Sequence, residues 1–168
     1  MSGALEAELL VHLDAQIASA QRLLGFVLAQ GKAIRARDVD AVIARLTDIQ
    51  TEMGRRGSLE QDRAGLLQRA GAALNVSVAA VTLEHLCTLV SPGAAQAARD
   101  RSAELRGLLA EIAREHGINR ALMRQELAFL SHLTRLIGNE PGAGYADPTT
   151  GNAQPSAPAL HRVLDLQA

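Results

Sequence analysis

The stretch SPGAAQAARDRSAELRGLLAEIAREHGINRALMRQELAFLSHLTRLIGNEP, residues 91–141, decides the fold. Ser91 is a good N-cap, and Pro92 suits the first helical position, where a missing N–H costs nothing. Gly138-Asn139 supplies a stop, and Pro141 prevents a restart. No proline interrupts the run between them. Leu105, Leu109, Ile112, Met123, Leu130, Leu133 and Ile137 follow three- and four-residue steps, the seam of a helix lying along another helix. Unbroken, such a helix is roughly 70 Å long, whereas a compact globule of this length has a radius of gyration of about 15 Å. The spacing predicts an elongated, all-α molecule.

The rest of the chain fits that expectation. A first helix is predicted from about Ala4 to Arg37, with Leu10, Leu13, Ile17, Ala20, Leu24, Val27 and Ile34 on its seam and Gly31 filling one position. Asp38 is the expected N-cap of a second helix, and so short a link makes the two antiparallel neighbours. The second seam, Val39, Val42, Leu46, Ile49 and Met53, turns polar at Arg56, Glu60 and Arg63, then apolar again at Leu66, Leu67, Ala70 and Leu74. Gly54 and Gly57 fall at the change, which predicts a kink or a solvated middle near Gly57-Ser58, with a break into two helices as the alternative. Asn75 is expected to end this helix in a left-handed conformation. Thr82 is expected to cap a short helix to about Val90, stapled by Val81 and Leu86. The architecture is therefore an elongated antiparallel helical hairpin or bundle of three long helices plus a short one. It divides into a helical domain, 1–138, and a Gly/Pro-rich linker with an amphipathic tail, 139–168. In the tail Leu160, Val163 and Leu164 stand at i, i+3 and i+4. A short apolar motif after a flexible leash serves either packing or partner binding.

Composition narrows the function. The chain of 168 residues is 48% hydrophobic but only 2% aromatic, which suits thin helix-on-helix seams rather than a wide core. Its formal net charge of −1, without a single-sign block, argues against nucleic acid as a partner. A lone cysteine, Cys87, rules out an intramolecular disulfide and reads as a small buried apolar residue. The acidic start is unlike a signal peptide, and no window is long and apolar enough for a membrane span. These features place the expectation in a reducing cytoplasm.

Catalytic and metal patterns are absent from the sequence. No H-E-x-x-H, E-x-x-H, G-x-S-x-G or phosphate-binding loop occurs, and His85 and Cys87 point nearly 200° apart on a helix. No catalytic residue, cofactor or metal is assigned. The polar residues on the long helix's seam are more informative: His116, Asn119 and Glu126. One reading is a register device of the kind a seam Asn provides; the other is a partly open groove that a partner completes. Across the hairpin, Glu126 is expected to pair with Arg56 or Arg63.

Taken together, a Leu-rich first helix, the turn Arg37-Asp-Val-Asp-Ala-Val42, the run Glu115-His-Gly-Ile-Asn119-Arg-Ala-Leu-Met-Arg-Gln-Glu-Leu-Ala-Phe129-Leu and a Gly-rich loop with Tyr145 resemble the FlgN family of flagellar export chaperones. His116 stands where the family pattern has the first of two Asn. The resemblance implies a helical, cytoplasmic, non-enzymatic protein. It would bind hook–filament junction (axial) proteins before type III export, prevent their premature assembly and meet the export apparatus. It also implies that the C-terminal region engages the client.

On this reading the client-binding candidates are Leu122, Phe129, Leu133 and Leu136 on the long helix, with Leu160, Val163 and Leu164 in the tail. Leu122, Phe129 and Leu136 lie off the main seam and form a second stripe, whereas core packing is the simpler role for Leu130, Leu133 and Ile137. The competing reading is a coiled-coil adaptor or scaffold that forms homo-oligomers through the same seam.

Overall fold

The computed structural model describes residues 2–138. The predicted linker and tail lie outside the described residues. Among those described there is no strand. Helix α1 spans Ser2–Ala36, α2 Val39–Leu74, α3 Leu83–Cys87 and α4 Pro92–Gly138, with a 3-10 turn at Val78–Ala80 before α3.

The local signals that end each helix act through hydrogen bonds within a few residues. The Ile34 and Ala33 carbonyls close α1 by accepting from the N–H groups of Arg37 and Asp38. This places Arg37 in the left-handed region at φ 56°, where glycine is the usual residue. Asp38 then caps α2, its Oδ1 accepting from the Ala41 N–H at 2.9 Å. Asn75 ends α2 at φ 55°, with the Ala72 and Gly71 carbonyls accepting from Asn75 and Val76. Thr82 caps α3 in a reciprocal box with His85. Ser91 Oγ accepts from the Ala94 N–H at 3.3 Å at the start of α4. Helix α3 ends at Cys87, sooner than the Val90 expected.

Helix α2 runs without interruption through Gly57, so the expected alternative of two shorter helices is overturned. Its middle is solvated, with Met53, Gly54, Arg55, Gly57 and Ser58 exposed. A helix needs only its own ladder to continue where no partner covers it.

Helix α1 is the central member. It runs antiparallel to α2, as the pairs Arg22–Glu52 and Arg69–Glu8 require, and parallel to α4, as Asp14–Arg101 and Arg37–Glu126 require. Both long neighbours pack on α1, and neither packs on the other. Sandwiched in this way, α1 buries two adjacent stripes, with Leu9 and Leu23 deeper than the expected Leu10 and Leu24. The main core lies at one end. There Leu9, Leu13, Leu66, Ala70, Leu86, Cys87, Ala95 and Ala98 converge from all four α-helices. Ala at three of these positions lets the helices approach closely.

The seams of α2 and α4 are shifted from the sequence expectation. On α4 the inward positions are Leu105, Leu108, Ile112, Glu115, Asn119, Leu122 and Glu126, while Leu109, Met123, Leu130 and Ile137 are exposed. On α2 they are Val42, Arg45, Ile49, Glu52 and Arg56, while Val39, Leu46 and Met53 are exposed. One position in each heptad is kept, and the other moves from the four-residue step to the three-residue step. The two steps are adjacent on a helix, so packing against α1 selects between apolar residues that sequence spacing leaves equivalent.

The expected ion pair of Glu126 with Arg56 or Arg63 is also overturned. Because α2 is antiparallel to α4, Arg56 stands about 27 Å and Arg63 about 37 Å along the axis from Glu126. Glu126 instead meets Arg37 at 3.5 Å, and Arg63 pairs with Glu60.

Candidate functional site

The Arg37–Glu126 pair marks the level at which α1 ends, yet α4 continues to Gly138. The last dozen residues of α4 therefore extend about 18 Å beyond the hairpin. Where α4 passes the α1–α2 turn, a groove of about 460 Å³ opens. Ile34 and Arg37 of the α1 end, Val39 and Val42 of α2, and Met123, Glu126, Leu127, Phe129 and Leu130 of α4 line it. Its walls are apolar apart from the Arg37–Glu126 pair. Leu127 and Leu130 are 62% and 55% exposed, and Ile137 beyond them is 74% exposed. A contiguous exposed apolar patch of this kind is a feature of interaction surfaces.

The sequence-derived candidates divide on this geometry. Phe129 and Leu136 are exposed on the overhang, and Leu133 is half-buried there. Leu122 turns toward α1 and is half-buried. Leu160, Val163 and Leu164 lie outside the described residues. Met123, Leu127 and Leu130 line the groove together with Phe129, and Val39 and Val42 from α2 complete it. Sequence spacing offered no sign of the α2 contribution, because it depends on which end of α4 overhangs the turn.

The three polar seam residues have three different fates. His116 is exposed. Asn119 is buried, and its Nδ2 donates to the Val27 carbonyl at 2.8 Å and to Gln30 Oε1 at 3.4 Å. Glu126 forms the rim of the groove. Asn119 thus ties α4 to α1 one helical turn before the groove begins at Met123, and so fixes which face of the overhang turns toward Val39 and Val42.

A second fixed point escaped the sequence reading. Glu52 of α2 is fully buried against α1. Ser19 Oγ donates to it at 2.6 Å, Arg22 through Nε and Nη2 at 3.1 and 2.9 Å, and Arg55 at 3.3 Å. The Arg22 guanidinium, aided by Ser19 and Arg55 and opposed by burial, lowers its carboxyl from the ordinary 4.5 to about 2. Ser19 and Arg22 at i and i+3 on one helix were the available signal.

Arg56, Glu60 and Arg63 lie along a cavity of about 360 Å³ near the main core, with His12 and Gln16 of α1 and Ser102 of α4. Arg56 Nη1 is buried there without a hydrogen-bond partner. Burial lowers the His12 pKa, against the pull of Asp62 and Glu60. Burial raises that of Cys87, whose thiol donates to the Ala95 carbonyl. Among the described residues no three His, Cys, Asp or Glu side chains are placed to hold a metal, and no helix is long and apolar enough to cross a membrane.

Comparison with known proteins gives no match among curated proteins or solved structures. A family model described as FlgN protein, however, matches residues 1–148, most of the chain. Matched over that length, the chain belongs to the FlgN family of flagellar export chaperones.

Proposed function

We propose that this protein is a cytoplasmic chaperone that holds hook–filament junction (axial) proteins before type III export and prevents their premature assembly. The observation that carries the reading is the apolar groove beside the α4 overhang. An amphipathic client helix laid there places its apolar face on Met123, Leu127, Phe129 and Leu130, with Leu133 and Leu136 continuing the contact along the overhang. This is helix-in-groove recognition, which needs no catalysis. Covering the client's apolar stripe removes the surface through which it would associate early. Leu160, Val163 and Leu164 supply a second contact that closes over the bound client.

The test is retention of proteins from the cytoplasm of flagellated cells by the wild-type chain and by a Leu127→Asp/Leu130→Asp variant. Secreted axial proteins are expected on the first and lost from the second. Retention of none by the wild type, or equal retention by both, overturns the reading. Sedimentation of the isolated protein separates it from the scaffold alternative, which requires a tight oligomer formed without a client.

A further inference from the structure

We propose that residues 158–168 of this chain dock reversibly in the groove between α4 and the α1–α2 turn, filling it for most of the time when no client is bound. Three observations select this occupant over others. The first is proximity: α4 ends at Gly138, so the groove residues Leu127–Leu130 lie about 12–17 Å back along the helix. For a random coil of about 20 residues, the separation between Gly138 and Leu160, the root-mean-square reach would be about 25 Å, more than enough to cover that span. A short tether that can span its two sites gives an effective concentration in the millimolar range. The second is sequence pattern: Leu160, Val163 and Leu164 stand at i, i+3 and i+4, the spacing that would give one apolar stripe if the segment docks as a helix, which is what a groove beside a helix accepts. The third is charge: the groove's two charged lining residues are Arg37 and Glu126, and the segment carries Arg162 and Asp165 beside its stripe. A docked segment could exchange the exposed Arg37–Glu126 pair for Arg162 on Glu126 and Asp165 on Arg37.

The result is an internal substitute for the client. A free groove of this polarity favours self-association, and a tethered plug of modest intrinsic affinity suppresses it without blocking a stronger ligand. A bound client displaces the segment, which is then available for the second contact. The competitive part rests on the proposed function, whereas the docking does not, and it is tested without any client.

The test uses the full chain. Hydrogen exchange at the amides of residues 123–137 is compared between wild type and a Leu160→Asp/Val163→Asp/Leu164→Asp variant. With a tethered occupancy near two-thirds, exchange in the wild type is expected to be about three-fold slower. A Cys87→Ser background then carries Leu164→Cys with either Leu127→Cys in the groove or Val11→Cys, an exposed position toward the far end of the molecule. Mild oxidation at low protein concentration is expected to close an intramolecular disulfide at least ten-fold faster with Leu127→Cys. Equal exchange rates, equal crosslinking at the two positions, or crosslinks formed between molecules would each overturn the proposal. None of these results depends on whether axial proteins are the clients.

Discussion

Asn119 of α4 and Gly31 of α1 fit together as lock and keyway. A Cβ added to Gly31 would lie 2.5 Å from Asn119 Oδ1, while Asn119 Nδ2 holds the Val27 carbonyl one turn earlier. The amide can grip the α1 backbone only because position 31 has no side chain. Gly31→Ala gains about 1 kcal/mol of helix propensity but overpacks a contact, at about 1–3 kcal/mol. A net loss of about 1 kcal/mol is expected from urea midpoints. Asn119→Ala alone is expected to cost about 1–2 kcal/mol through its lost hydrogen bond. The double variant should be more stable than the sum of the two changes predicts, because removing the amide removes the clash. Strict additivity would show that the two residues do not share a contact.

Glu52 links stability to acid. Its folded-state pKa, about 2, lies below the ordinary 4.5, so the unfolded chain takes up the proton first as pH falls. The stabilisation is complete above pH 4.5 and is lost as pH falls toward 2. Comparing urea midpoints of wild type and Glu52→Gln isolates this carboxylate from the others. The difference between them is expected to shrink by on the order of 2 kcal/mol between pH 5 and pH 3. A difference that stays constant across that range would mean that Glu52 titrates normally.

Helix ends were legible in the sequence, and helix faces were only partly so. Asp38, Asn75, Thr82 and Ser91 each act through a hydrogen bond to a residue three or four places away, so the information is local. The choice between Leu108 and Leu109, or between Leu122 and Met123, is not local. Both members of each pair are apolar, and only the position of α1 decides which is covered. The same ambiguity hid Leu130 and Ile137, read as core and found exposed. Glu52 was missed because its burial depends on Ser19 and Arg22 arriving from another helix. Nothing in the residue type announces the left-handed Arg37, since the turn is closed by backbone groups. The groove was half legible: its α4 wall was read as excess apolar surface near Phe129, but its α2 wall requires knowing that α4 outruns the hairpin.

Cys87 is expected to be chemically quiet. It is buried in the main core, its thiol donates to the Ala95 carbonyl, and burial raises its pKa. A thiol with little thiolate and little access reacts slowly. Labelling by a disulfide reagent at pH 7 should be at least about a hundred-fold slower in the native protein than in urea, following opening of the core. Rapid native labelling would show that α3 and the start of α4 separate readily.

The two sides of α4 should separate stability from binding. Leu122 packs toward α1, whereas Leu127 and Leu130 face the open groove. Leu122→Ala removes buried methyl groups from a thin seam and is expected to cost about 2 kcal/mol. Leu127→Asp and Leu130→Asp replace exposed side chains, so each should change stability by no more than about 0.5 kcal/mol. The order reverses for client capture. The two aspartates introduce charges that a docked apolar helix would have to desolvate, at least about ten-fold in affinity each, while Leu122→Ala leaves the groove lining intact. Thermal melts and client titrations on the same three proteins check both halves. If Leu127→Asp unfolds the protein, the overhang is core. If Leu122→Ala alone abolishes capture from a folded chain, the client lies along the α1-facing side of α4 instead of in the groove.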